Sequence, residues 1–227
     1  MAIEKLNRTP ANKQIPVIMS EMQSAADMLQ EIGWGVSIFG SARITPDSPY
    51  YALSEQLGKR LAQAGLPVIA GGGPGIMEAA NKGAFKAGGT SIGLNIQLPR
   101  ENTRNAYQTH SLHFEYFVSR KATFFMHSAA YIALPGGFGT LDELFEVLTL
   151  IQTRKIPPAP VIAIGSEFWA GLLEWARSQL LSNKLIGPND LELITVTDDL
   201  DAAVRQIELF CSSYAEQLGD TAIMPAE

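Results

Sequence analysis

Apolar and polar positions along the chain switch repeatedly between a helical period and short, fully apolar runs. Met19, Met22, Ala26 and Leu29 recur at helical spacing, and Gly33 closes that stretch. Trp34 to Phe39 then reads as a strand buried on both faces. Ser48 followed by Pro49 predicts a helix start, with the hydroxyl capping free amides and proline at the first helical position; Gly65 ends that helix. The alternation continues with strands at Pro67 to Ala70, Thr90 to Ile96, Ala130 to Leu134, Pro160 to Ile164 and Leu191 to Val196. Between them the pattern predicts helices at Ile76 to Ala87, Tyr116 to Ala129, Leu141 to Ile151 and Glu167 to Leu181, and a last one from Asp198. Strands alternating with helices of this length predict an α/β fold: a Rossmann-like, doubly wound parallel sheet in three αβα layers. Its ligands belong outside the carboxyl ends of the strands.

The same pattern predicts one nucleotide-binding domain over residues 16–213, with a loosely ordered lead-in at 1–15 and a tail at 214–227. Residues 97–115 carry two of the three histidines and show no clear period. A long stretch of that kind in a compact domain is usually functional.

Composition narrows the function. Seventeen Lys and Arg against 23 Asp and Glu, net −6, offer no general attraction for a nucleic-acid polymer or an anionic membrane. A bound anion must then be held by local geometry. No apolar stretch approaches the roughly 18 residues of a membrane span, and MAIEKLNRTP lacks a signal-peptide core, so the expected location is the cytoplasm. Cys211 stands alone and cannot form an internal disulfide. His110, His113 and His127 lack metal-ligand spacing and read as structural or surface residues, and no metal site is expected.

Glycine is concentrated after strand ends, at Gly40-Ser41, at Gly71-Gly72-Gly73-Pro74-Gly75 and at Gly136-Gly137-Phe138-Gly139. Neither of the longer runs continues as GK[ST], so a P-loop is excluded. The dinucleotide fingerprint fails as well, because it would need glycine in place of Ile76 or Asp142. What remains is strand, glycines and helix start, twice over, with amides and positive helix ends facing one cleft that suits a phosphate or nucleotide monophosphate. A tight turn that merely needs glycine is the competing reading for either cluster alone. Arg43 reads as a surface cation. Thr140 to Glu143 has the spacing of a capping box, and on spacing alone Glu143 would reach back to the cap amide. Arg120 and Lys121 fall near a helix start, where the dipole disfavours cations. Asp142 and Glu146 read as helix-face carboxylates, and Trp169 and Trp175 as part of an apolar helix stripe.

The run Pro135-Gly136-Gly137-Phe138-Gly139-Thr140-Leu141-Asp142-Glu143 closely resembles the PGGxGTxxE signature of the LOG ("lonely guy") family, the cytokinin riboside 5′-monophosphate phosphoribohydrolases. Gly71 to Asn81 is similar to the family's other glycine motif, and Ser119-Arg120-Lys121 to its Arg-Lys pair. The resemblance runs from about Trp34 to Gly165. It implies hydrolysis of the N-glycosidic bond of a purine nucleoside 5′-monophosphate to free base and ribose 5-phosphate, without a cofactor. Glu143 and Arg120 are then the catalytic residues. Gly136, Gly137, Gly139, Thr140, Gly72, Gly73, Gly75, Lys121, Gly40, Ser41 and Glu78 bind phosphate or nucleotide. A homodimer is implied. The alternative is a non-catalytic nucleotide or molybdenum-cofactor carrier, whose family shares the fold and the glycine loops. The label "lysine decarboxylase" carried by many such proteins is discounted, since no lysine is identified for a Schiff base with a pyridoxal cofactor.

Overall fold

The computed structural model describes residues 10–98 and 104–221. Seven strands form one parallel sheet: β1 (Gly35–Phe39), β2 (Val68–Ala70), β3 (Ser91–Ile96), β4 (His110–Phe114), β5 (Ser128–Ala133), β6 (Val161–Ala163) and β7 (Ile194–Val196). Their order is β4-β3-β2-β1-β5-β6-β7. The chain winds outward from β1 to β4, then returns to pair β5 with the other side of β1. The switch in direction lies between β1 and β5, and the loops leaving those two strands diverge to open a crevice.

Among the described residues seven α-helices cover the faces: α1 (Ala11–Ile32), α2 (Pro49–Gln63), α3 (Ile76–Lys86), α4 (Phe117–Met126), α5 (Phe138–Gln152), α6 (Ser166–Trp175), continued by a π-helical stretch Ala176–Leu181, and α7 (Leu200–Thr221). Alternation along β1 sends Val36 and Ile38 to one face, where they join Leu57, Leu61, Ile76, Ala80 and Ala203 from α2, α3 and α7. Phe39 faces the opposite side with Ile69 and Tyr131 and meets Leu29, Phe124, Val147 and Trp169 from α1, α4, α5 and α6. The doubly wound, three-layer arrangement expected from the pattern is therefore the arrangement of the protein.

Several elements differ from the sequence expectation. The first helix begins at Ala11, inside the stretch read as a lead-in, and accommodates Pro16 although proline forfeits one helical hydrogen bond. Residues 1–9 of that lead-in lie outside the described residues. α7 runs to Thr221 through much of the segment read as a tail, and 222–227 lie outside the described residues. His110–Phe114 is an edge strand in a stretch read as having no period. Its inward positions are Leu112 and Phe114, a two-step alternation too short to stand out among histidines. The strand predicted from Leu191 is confined to Ile194–Val196, because Asp190–Leu193 forms a 3-10 turn.

α2 and α3 touch backbone to backbone. A Cβ on Gly83 would lie 1.9 Å from the carbonyl oxygen of Glu55, and one on Gly58 would lie 2.2 Å from that of Ala80. A main-chain oxygen cannot rotate away as a side chain can. Gly83→Ala should therefore lower stability by about 2–3 kcal/mol, the cost of a strained, overpacked contact. Urea denaturation measures it, and a loss within about 0.5 kcal/mol, ordinary for a surface change, would contradict this account.

Candidate active site at the strand carboxyl ends

The loops after β1, β2, β3 and β5 surround a cleft of about 1020 Å³. It contains Gly40 and Ser41 from the first loop, Gly72 and Gly73 from the second, and Gly137, Gly139, Thr140 and Glu143 from the start of α5. Arg120 and Lys121 enter from α4. These predicted residues come together although they derive from four separate loops and helix starts. Three others do not line the cleft. Gly136 lies beneath Thr140, whose Oγ1 would be 2.1 Å from a Cβ placed there. Gly75, at φ 68°, packs under the carbonyls of Ser41 and Ala42. Glu78 turns toward α2 and accepts a hydrogen bond of 2.8 Å from the Tyr51 hydroxyl.

The capping-box reading of Glu143 fails on where the helix starts. α5 begins at Phe138, capped by Gly137 with no side-chain cap, so Thr140 is its third residue and Glu143 its sixth. The chain enters the helix three residues earlier than the Thr-Glu spacing suggests, from an extended Gly137. Glu143 is then too far along to reach the cap amide, and its side chain reaches the cleft.

Burial of Glu143 pushes its carboxyl up to about 7, with the negative charges of Asp142 and Glu146 adding to the rise and Arg120 and Lys121 opposing it. At neutral pH this carboxyl is poised between its acid and base forms, as proton-transfer chemistry requires.

Arg120 is only 6% exposed. Burial draws its guanidinium down from the ordinary value and Glu143 opposes that, yet arginine starts so high that it keeps its charge. Its Nε donates to the carbonyl of Leu94 at 2.7 Å and its Nη2 to that of Gly71 at 3.1 Å. Gly71 is required by this seat, because a Cβ there would lie 2.1 Å from Arg120 Nη2. Two of the five guanidinium donors are thus committed to the ends of β2 and β3, and the rest remain for a ligand.

Lys121 is differently placed. It pairs with Asp142 at 3.0 Å and Glu146 at 2.6 Å. Burial alone would lower its ammonium, but hydrogen bonds and charge from these carboxylates raise it instead. Its charge is largely spent within the protein, and Asp142 and Glu146 are its partners rather than independent surface groups.

Several contributors had no readable sequence signal. Glu21, on α1, lines the cleft and grips the start of α4, accepting from the Glu115 amide at 2.5 Å and from the Ser119 hydroxyl. Asn105 and Gln108 fasten the second glycine loop from behind. The Asn105 amide donates to the carbonyl of Gly72 and its side chain to that of Gly73, and Gln108 Nε2 donates to Gly72 as well. This gives part of the stretch 97–115 a role in holding the loop; residues 99–103 of it lie outside the described residues. His113 lines the cleft beside Phe114. Trp169 is buried, whereas Trp175 is half exposed. No described cluster of three or more His, Cys, Asp or Glu side chains could hold a metal, and no described helix is long and apolar enough to cross a membrane.

Comparison with known proteins bears on the family and the fold. A family model described as "Possible lysine decarboxylase" matches residues 77–207. The cytokinin riboside 5′-monophosphate phosphoribohydrolase LOG4 of Arabidopsis thaliana is 31% identical over 82% of this chain and 88% of its own. That of Rhodococcoides fascians is 28% identical over 76% of this chain and 88% of its own. A rice protein (Oryza sativa subsp. japonica) named "Probable cytokinin riboside 5′-monophosphate phosphoribohydrolase" is 35% identical over 52% of this chain, and the match spans about half of it, 49%. Among solved structures, the molybdenum cofactor carrier protein of Chlamydomonas reinhardtii superposes with a TM-score of 0.59 at 22% identity, covering 79% of this chain and 99% of its own. The molybdenum cofactor binding protein of Rippkaea orientalis gives 0.56 at 24%, covering 78% and 95%. These two establish a shared fold.

Proposed function

The chain belongs to the LOG family of cytokinin riboside 5′-monophosphate phosphoribohydrolases, and on that premise we propose that it hydrolyses the N-glycosidic bond of a purine nucleoside 5′-monophosphate. AMP or an N6-substituted, cytokinin-type AMP is the substrate, and free base and ribose 5-phosphate are the products. The observation that carries this reading is Glu143, a carboxyl held near neutrality beside a buried, charged Arg120 in a cleft walled by glycine loops.

In this reading the 5′-phosphate takes the amides at the start of α5, around Gly137 to Thr140, where the positive helix end adds its field. Binding energy from the phosphate orients the ribose. The bond from C1′ to the purine nitrogen breaks with its electron pair leaving on the base, and the ring left behind carries positive charge. The Glu143 carboxylate stabilises that charge and takes a proton from the water that attacks C1′, and that proton passes on to the departing purine nitrogen, so the base leaves neutral and Glu143 is again ionised. Arg120 supplies the donors it has not committed to Gly71 and Leu94.

A decarboxylase of the kind the family description names does not fit the residues present. A pyridoxal Schiff base needs a lysine that can shed its proton, and Lys121, which lines the cleft, is clamped in its charged form by Asp142 and Glu146. The reading includes a homodimer, supported by exposed Phe117, Val118 and Met126 on α4 and Phe138 and Phe145 on α5.

Purified protein incubated with AMP and with N6-prenyl AMP should release base and ribose 5-phosphate, and should sediment as a dimer. Folded protein that retains a nucleotide or pterin ligand tightly and releases no base from any purine monophosphate would favour the carrier alternative.

A further inference from the structure

A phosphate dianion docked at the start of α5 calls for a cation, and the charges of the two adjacent to Glu143 already face carboxylates. Lys121 is neutralised by Asp142 and Glu146. Arg120 is seated on two carbonyls and faces Glu143. Two further cations line the cleft: Arg104 precedes Asn105, which is fastened to the second glycine loop, whereas Arg43 belongs to the loop joined to the start of α5. Its side chain is exposed, lines the same cleft, and has no hydrogen bond or ion pair with another described residue.

The loop that carries it is stitched to the phosphate loop. The Ser41 amide donates to the carbonyl of Pro135 at 3.1 Å, immediately before the glycines, and the Arg43 amide donates to Ser41 Oγ at 3.1 Å, turning the chain back over that junction. The carbonyl of Ser41 accepts from the Ile76 amide at 3.0 Å, which anchors the loop from its other side. Since β1 lies directly beside β5 in the sheet, the two loops are neighbours at the switch point.

We propose that Arg43 is the residue that recognises the 5′-phosphate by charge, making the cleft selective for nucleoside monophosphates over nucleosides. The proposal rests on the phosphoribohydrolase reading above and adds to it a specificity residue outside the glycine motif. A guanidinium can meet two phosphate oxygens at once while the α5 amides hold others. Such a contact exists equally in the ground state and the transition state, so its loss affects substrate binding more than the chemical step.

Arg43→Ala should raise the KM for AMP by about tenfold or more, in line with one charged hydrogen-bonding contact, with kcat changed far less. Turnover of adenosine, which has no phosphate, should be as slow as with the unaltered protein, and Arg43→Lys should recover part of the affinity. An AMP KM unchanged in active Arg43→Ala would overturn the proposal. Calorimetric titration with ribose 5-phosphate separates this from failure of the enzymatic reading. Should the unaltered protein hydrolyse no purine monophosphate, weaker ribose 5-phosphate binding by Arg43→Ala would still support the assignment, and equal binding would overturn it. The Arg43 side chain has no hydrogen bond or ion pair with another described residue, so the variant is expected to fold normally, and the melting temperature checks that.

Discussion

Glu143→Gln should reduce turnover of AMP by at least about a hundredfold while the protein remains folded, because general-base and electrostatic roles of a single carboxylate are each worth that much or more. Glutamine preserves size and hydrogen bonding at the cleft and removes only the charge and the proton acceptor. The pH dependence gives an independent measurement. With its carboxyl pushed up to about 7, Glu143 is protonated in mildly acidic solution and ionised in mildly basic solution. Since the ionised form does the work, the rate should rise with pH between about 6 and 8 and level off above. A rate that falls over that interval, or Glu143→Gln turnover within a few-fold of the unaltered protein, would remove this residue from the reaction.

Arg120→Ala should be damaging in two ways at once. The buried guanidinium holds the carbonyls of Gly71 and Leu94, and its removal strips both of a charged donor in a place water enters poorly. A stability loss of about 3 kcal/mol is expected, measured by urea denaturation. Turnover should also fall by about a hundredfold, the scale of a lost electrostatic contact to the reacting group. Arg120 is the largest influence holding the Glu143 carboxyl down. Without it that carboxyl titrates higher, so the rising limb of the residual rate should move to more alkaline pH. A limb that stays in place would show that the two residues are not electrically coupled in the working enzyme.

Much of this could be read in the chain because its signals are local. A short apolar run, then glycines, then a helical period specifies strand, turn and helix within some twenty residues, and that was enough for six of the seven described strands, the layers and the end at which the cleft opens. Contacts between distant residues carry no such mark. Glu21 meets Ser119 across 98 positions, and nothing near either residue advertises the other. Lys121 was legible as a cation near a helix start, but its pairing with Asp142 and Glu146 depends on how α4 lies against α5. The capping-box spacing misled for a different reason: the helix starts at Phe138 with no side-chain cap, three residues before the Thr-Glu box would place it. Glu78 shows the limit of a dipole argument, since the first turn of α3 satisfies its charge while Tyr51, from α2, decides where the carboxylate points.

The seat of Arg120 also bears on how such a site can be transplanted. The direction of the guanidinium is stored in the ends of β2 and β3, through the Gly71 and Leu94 carbonyls, rather than in its own helix. Grafting α4 into another Rossmann-like scaffold would carry the arginine without its aim. Unless the host offers a bare glycine opposite, the side chain must swing elsewhere, so the smallest portable unit is a glycine, two strand ends and an arginine acquired together.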